Sequence, residues 1–419
     1  ATMAKKTMCV WSIIFLAVSA LFPLAATADN DDFYQPPAQF SAHPQAPGTV
    51  LRTQPVDNTR ATKMLYASTD QDGKPVAVSG YVIEPDRPAI GTVVFAPGTR
   101  GQGDMCAPSK GPWLVGAVSP TAMSVNYELP IQYYAASLGL RVIVTDYIGL
   151  GTPGIHTYVN AAEEAHAVLD AARAGLRVAK APLDSPVGLH GYSQGGGAVA
   201  AAAELAEEYA PDVRLVGTYA GAPPADLFEV FTTVDGSSIS GVLGMAINGF
   251  SARDAQFRAA VDRHVSDAGH RYLQTVATSC VIDSVGKYGF MKSNVFTKTG
   301  ITFKEVVQQE PVIAETLKRN SLGKKPPRTP IFMMTGRSDD IIPTDQVARL
   351  ADKYCRAGAT VSATQSALPR VTPTINSGIN HALSSWEDIQ PSMEYLLARF
   401  RGEPARNDCG NYQSPRSSL

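Results

Sequence analysis

From Val93 onward the chain alternates short apolar runs with longer stretches in which apolar residues recur every three or four positions. Val93 to Ala96, Val142 to Asp146, Val187 to His190 and Leu215 to Tyr219 have strand length, while Glu128 to Leu138, Ala161 to Ala179 and Ala198 to Tyr209 carry helical spacing. Such alternation predicts an α/β architecture, a mostly parallel sheet with helices on both faces. Ahead of it, Thr62 to Thr69 and Lys74 to Ile83 flank Asp72-Gly73 and read as an antiparallel hairpin. The alternation stops at Ala220-Gly221-Ala222-Pro223-Pro224. A mixed, largely helical stretch follows, until the linker Leu322-Gly323-Lys324-Lys325-Pro326-Pro327-Arg328 leads into another strand-like run, Pro330 to Thr335.

The run that begins at Val187 leads into Gly191-Tyr192-Ser193-Gln194-Gly195, a Gly-x-Ser-x-Gly sequence between a strand and an alanine-rich helix. A serine on so sharp a turn is held in a strained backbone conformation, with its hydroxyl clear of the sheet. Glycines two before and two after are needed because a Cβ there would collide with the neighbouring strand or helix. In a chain with 35 glycines the motif alone can arise by chance, so its strand–turn–helix setting is what marks Ser193 as the nucleophile.

A serine nucleophile needs an acid and a base, which in α/β-hydrolases follow it along the chain in that order. Of the seven histidines only His264, His270 and His381 follow Ser193. The strand-like run ending at Thr335 is followed by Gly336-Arg337-Ser338-Asp339-Asp340-Ile341-Ile342-Pro343, and loops at the carboxyl edge of a parallel sheet carry the chemistry. Only His381 lies beyond it, in a loop expected over Asn376 to Ala382, so His381 is the base. The acid is Asp339 or its neighbour Asp340. Asp345 and Asp352 belong to the helix-like stretch Thr344 to Arg356 and read as a first-turn charge and a solvated face. The backbone N–H of Gln194, at the amino end of its helix, is one expected oxyanion donor. The second is expected at Thr99, in the glycine-rich loop Pro97 to Gly103, where the backbone can approach a substrate closely.

Together these segments resemble the secretory lipase family of α/β-hydrolases over most of the chain. The resemblance rests on Pro97-Gly98-Thr99 with Cys106-Ala107-Pro108-Ser109, on Asp146-Tyr147-Ile148-Gly149-Leu150-Gly151-Thr152-Pro153-Gly154, and on Gly191 to Gly196. It continues in Gly336 to Pro343 and in Gly378-Ile379-Asn380-His381. It implies an α/β-hydrolase fold with a mainly helical cap above Ser193, and it favours Asp339 over Asp340 as the acid beside Ser193 and His381. The implied activity is hydrolysis of carboxylic esters, triacylglycerol or related lipid esters, through an acyl-enzyme. The expected divisions are a signal peptide over 1–28, core over 29–222, cap over 223–325, core again over 326–400 and a tail over 401–419. Within the cap, Leu243, Met245, Ile247 and Phe250, with glycines at 241, 244 and 249, form an apolar stretch expected to line the acyl pocket.

Charge and cysteine content set the compartment. Ala4-Lys5-Lys6-Thr7, an apolar run from Cys9 to Leu24 and the small residues Ala26-Thr27-Ala28 read as a secretory signal cut after Ala28, which implies an extracellular or periplasmic protein. Cleavage takes Lys5 and Lys6 and no acid, so the formal charge moves from −2 to −4. Such a chain offers no basic patch for nucleic acid. Cleavage also removes Cys9, and the remaining Cys106, Cys280, Cys355 and Cys409 read as two disulfides with three connectivities to choose from. Cys106 follows the oxyanion loop, Cys280 lies in the cap, Cys355 ends the helix after the acid and Cys409 lies in the tail. Cys106–Cys280 and Cys355–Cys409 are therefore the expected pairs, each closing a long loop worth about 3–5 kcal/mol.

Other chemistries fit less well. Gly149 to Gly154 matches Gly-x-Gly-x-x-Gly, but Pro153 and the irregular run to Tyr158 keep the next helix away from that turn, so no dinucleotide site is expected. No His/Cys cluster has metal-ligand spacing, and neither metal nor cofactor is expected. The partners implied are the lipid or ester substrate and transient contact with a lipid interface, with no obligate protein partner. An acyltransferase or a polyester or short-chain esterase would use the same triad. A serine peptidase of the prolyl type would add a propeller-like repeat, which is not seen, and a non-catalytic binding protein would have lost a triad residue.

Overall fold

The apolar runs form the centre of a nine-stranded sheet in the computed structural model, which describes residues 31–113, 116–118, 123–372 and 374–410. The first three strands, β1 (Val50–Pro55), β2 (Ala61–Thr69) and β3 (Pro75–Ile83), are antiparallel neighbours. β4 (Gly91–Ala96) follows, then a separate small pair, β5 (Gly116–Val118) and β6 (Met123–Val125). The remaining strands are β7 (Leu140–Thr145), β8 (Val187–Tyr192), β9 (Leu215–Gly221), β10 (Ile331–Gly336) and β11 (Val361–Ser366). The spatial order is β1-β2-β3-β7-β4-β8-β9-β10-β11, parallel from β7 onward. The fold is that of an α/β-hydrolase.

Burial on both faces explains why the central strands are continuous apolar runs instead of alternating ones. In β4, Val94 and Ala96 belong to one core cluster and Val93 and Phe95 to the other. α1 (Leu129–Ser137) covers the second face, and α2 (Ala161–Val178) and α3 (Gln194–Tyr209) cover the first. Between β9 and β10 the chain forms seven helices: α4 (Leu227–Val234), α5 (Gly241–Arg253), α6 (Ala255–Asp262), α7 (Asp267–Val276), α8 (Val281–Tyr288), α9 (Phe303–Gln309) and α10 (Pro311–Arg319). This helical insertion is fastened where it returns. The Glu204 carboxylate on α3 accepts the backbone N–H groups of Gly323, Lys324 and Lys325, and Leu322 N–H donates to Ala225 C=O at 2.9 Å.

After β10 come α11 (Thr344–Arg356), β11, α12 (Ile379–Glu387) and α13 (Ile389–Phe400). Disulfides join Cys106 to Cys280 and Cys355 to Cys409, with Cα separations of 5.5 and 5.3 Å. The second ties the tail to the sheet edge, where Asp408 N–H donates to Val361 C=O at 2.7 Å and Ala363 N–H donates to the Asp408 carboxylate at 2.9 Å. The expected signal peptide lies outside the described residues, as does the tail beyond residue 410. Among the described residues no helix is long and apolar enough to cross a membrane.

Candidate active site

The Gly-x-Ser-x-Gly turn connects β8 to α3, and Ser193 sits on it at φ 60°, ψ −119°. Two glycines make the turn possible. A Cβ on Gly191 would lie 2.0 Å from Gly195 O, and one on Gly195 would lie 2.0 Å from Ala96 O on the neighbouring strand. Backbone fills both places, so no side chain fits and the serine is driven up above the sheet edge.

The structure brings the three residues read as a triad into one chain of hydrogen bonds. Ser193 Oγ is 2.7 Å from His381 Nε2, and His381 Nδ1 is 2.8 Å from Asp339 Oδ2. With Nδ1–H donating to the buried carboxylate, Nε2 is left to accept the serine proton. The other oxygen of Asp339 accepts the N–H groups of Ile341 and Ile342 at 2.9 and 2.8 Å, which fixes the acid in place. Burial alone would favour neutral His381, but the Asp339 carboxylate outweighs it, helped by Asp340 and Asp388, and the imidazole is held above its ordinary value. The base must be neutral to act, so activity is expected to fall as pH drops through a titration above about 6.5. A rate flat down to about pH 5 would exclude a histidine base.

His381 does not stand in a loop, as its sequence suggested, but in the first turn of α12. The neighbour of the acid explains why. Asp340 is buried, and its carboxylate accepts Gly378 N–H at 2.9 Å and His381 N–H at 3.1 Å, so it satisfies the amino end of that helix. Reading Asp340 only as the rival acid misses this role. Tyr192 adds a further restraint, its hydroxyl donating to His381 C=O at 2.6 Å. Two buried carboxyls lie nearby with no sequence motif to mark them. Burial, with Glu387 and Asp339 adding to it, pushes Asp388 up to about 7 against the Tyr219 hydroxyl that it accepts. Burial likewise pushes Glu164 up to about 8, although it accepts the Gln194 side-chain amide at 2.9 Å.

Gln194 is the first residue of α3, where the helix itself provides no acceptor for its N–H. Thr99 lies beside Ser193 and Gln194 on the wall of one cavity, and its hydroxyl pairs with that of Tyr158 at 2.7 Å. The rest of that cavity is apolar: Leu227, Val230, Phe231 and Val234 of α4, Ile239 and Val242, and Ile341 and Ile342 behind the acid. The residues expected to line the acyl pocket are elsewhere. None of Leu243, Met245, Ile247 and Phe250 lines the cavity at Ser193. Leu243 and Ile247, one turn apart on α5, border a second apolar cavity inside the insertion, Met245 is fully buried, and Phe250 packs on Phe257. The reason is geometric: α5 turns most of its apolar surface into the insertion's own core, and only Val242 of that helix reaches the serine side. Gly244 likewise faces Tyr272 and Val276, and a Cβ there would lie 2.8 Å from each. Among the described residues there is no cluster of potential metal ligands.

An α/β-hydrolase sheet with Ser193, His381 and Asp339 in hydrogen-bonded sequence is the arrangement of a serine hydrolase. The chain belongs to the secretory lipase family, whose description matches residues 117–408. It is 26% identical to a secreted triacylglycerol lipase of Malassezia globosa, over 97% of this chain and 89% of that protein. It is 27% identical to a probable inactive lipase of Mycobacterium tuberculosis, over 90% and 83%. Among solved structures, Candida antarctica lipase A in its closed state superposes with a TM-score of 0.76 at 22% identity, covering 93% of this chain and 90% of that one. A rice cell wall degrading esterase of Xanthomonas oryzae superposes at 0.68 and 19% identity, covering 85% and 100%.

Proposed function

We propose that this chain hydrolyses lipid esters of the triacylglycerol class outside the cytoplasm, with Ser193 as nucleophile, His381 as base and Asp339 as the acid that orients it. The observation that carries this is the unbroken hydrogen-bonded set from Ser193 to Asp339 opening on an apolar cavity. Family membership alone would not suffice, since one relative is named an inactive lipase. Ser193 Oγ attacks the ester carbonyl as its proton passes to His381 Nε2, and the N–H groups of Gln194 and Thr99 take the developing oxyanion. Collapse expels the alcohol, which leaves with the proton from His381. Water, deprotonated by the same nitrogen, then releases the fatty acid.

The surface around the site supports a substrate presented in aggregates. Phe290, Ile375, Ile379 and Trp386 are 52, 49, 42 and 68% exposed. They lie on two segments joined through Ser237 and Ser238: Phe290 N–H donates to Ser237 C=O, and Ser238 N–H donates to Asn376 C=O. One of these segments carries His381, so an apolar surface borders the catalytic base. Exposed apolar side chains on neighbouring segments suit transient contact with a lipid interface.

The test is a panel of esters from two to eighteen acyl carbons, offered dispersed and as emulsions, to wild type and two variants. Phe231→Ala should shift preference towards longer chains by about tenfold, since a methylene of pocket room is worth about 1–3 kcal/mol. Trp386→Asp should depress hydrolysis of emulsions and spare dispersed short esters. Product going to an added alcohol in place of water would make the protein an acyltransferase, and no turnover of any ester would defeat the proposal.

A further inference from the structure

We infer that Glu128, acting through a largely buried ion pair with Arg100, is the positioning residue for the oxyanion-hole N–H of Thr99. The inference rests on the reading of Ser193 and Thr99 given above and assigns how that half of the site is held.

One carboxylate oxygen of Glu128, the residue that precedes α1, accepts Gly98 N–H at 2.8 Å and Arg100 Nη2 at 3.1 Å. Its two donors come from the residues on either side of Thr99. The Arg100 side chain is only 3% exposed; its Nη1 donates to Asn126 Oδ1 at 2.9 Å, and its guanidinium lies 4.6 Å over the Tyr127 ring. Tyr127 in turn donates its hydroxyl to Thr99 C=O at 3.0 Å, and Val281 N–H donates to Arg100 C=O at 2.8 Å. The peptide groups around Thr99 are thereby fixed from several directions. The Thr99 N–H itself has no acceptor among the described residues, and Thr99 borders the cavity that holds Ser193.

Stability alone accounts poorly for such a pair. Removing two charges from water costs about as much as their attraction returns, and an apolar pair of similar volume would pack the same space. A carboxylate that grips a backbone N–H on one side of Thr99 and a side chain on the other does what an apolar pair cannot. It sets the direction of the N–H between them. Burial raises the Glu128 carboxyl, and the Arg100 guanidinium opposes that rise, as expected of a pair whose halves depend on each other.

The experiment compares Glu128→Ala, Glu128→Gln and the double variant Glu128→Gln with Arg100→Met, each with its active sites counted by a fluorophosphonate. Removing an oxyanion donor outright costs about 10²–10³ in kcat. A misdirected donor should cost less, so kcat per counted site should fall by about 10- to 100-fold in Glu128→Ala, with KM changed by less than about threefold. Affinity for an alkyl boronic acid, which forms a tetrahedral adduct on Ser193, should fall by the same factor. Glu128→Gln should lie between, because its amide oxygen still accepts Gly98 N–H. The double variant leaves no unpaired buried charge, and so separates positioning from folding should Glu128→Ala not fold. A kcat per counted site within about twofold of wild type in every folded variant, or a loss confined to the number of sites, would overturn the inference. If the wild-type protein itself is not labelled at Ser193, the nucleophile assignment falls instead.

Discussion

Ser193→Ala is expected to remove ester turnover by about four to six powers of ten and to abolish covalent labelling by a fluorophosphonate, with the fold unchanged. The size follows from what is lost. Without Oγ no acyl-enzyme forms, and only the oxyanion donors and substrate binding remain to assist direct attack by water. The fold should survive because the positive-φ turn is imposed by Gly191 and Gly195 against neighbouring backbone, not by the serine side chain. Peptide mapping of labelled wild type should find the probe on Ser193. Labelling at another serine would reassign the nucleophile.

Asp339→Asn should be the second most damaging change, lowering kcat by about 10⁴. An amide nitrogen in place of Oδ2 would face His381 Nδ1 as a donor. The imidazole would then carry its proton on Nε2, where it cannot accept from Ser193. Asp340→Asn should cost less, because its carboxylate meets only backbone N–H groups and the Ser377 hydroxyl and one oxygen remains to accept. Steady-state kinetics on a soluble ester ranks the two, and the reverse order would move the acid to Asp340.

The nucleophile turn could be read from sequence because its requirements are local: two glycines, a strand before and a helix after. Chain order alone leads to His381, and it needs no geometry. The helix that carries it was hidden. Gly378-Ile379-Asn380 is a poor start, and the group that satisfies its first N–H groups, the Asp340 carboxylate, lies about forty residues earlier. The edge strands were hidden for a related reason. No residue of β1 is buried and half of them are polar, and β11, Val-Ser-Ala-Thr-Gln-Ser, has little apolar signal. Apolar composition points to α5 for the acyl pocket, yet composition does not say which way a helix faces. The eight-residue α4, Leu-Phe-Glu-Val-Phe-Thr-Thr-Val, is the one that borders Ser193.

The fastening of the helical insertion restricts how a fatty ester can enter. Cys280 is bonded to Cys106 beside the oxyanion loop, Gly101 pairs with Cys280 as a bridge, and Glu204 holds the returning end. A wholesale swing of the seven helices away from the sheet would break all of these at once. The elements that border the Ser193 cavity on this side are α4 and the turn over 235–240, which is hydrogen-bonded to the segments carrying Phe290 and Asn376. A reducing solution would cut one of these anchors and leave the backbone pairing of residues 100–103 with 279–281 to hold that side alone.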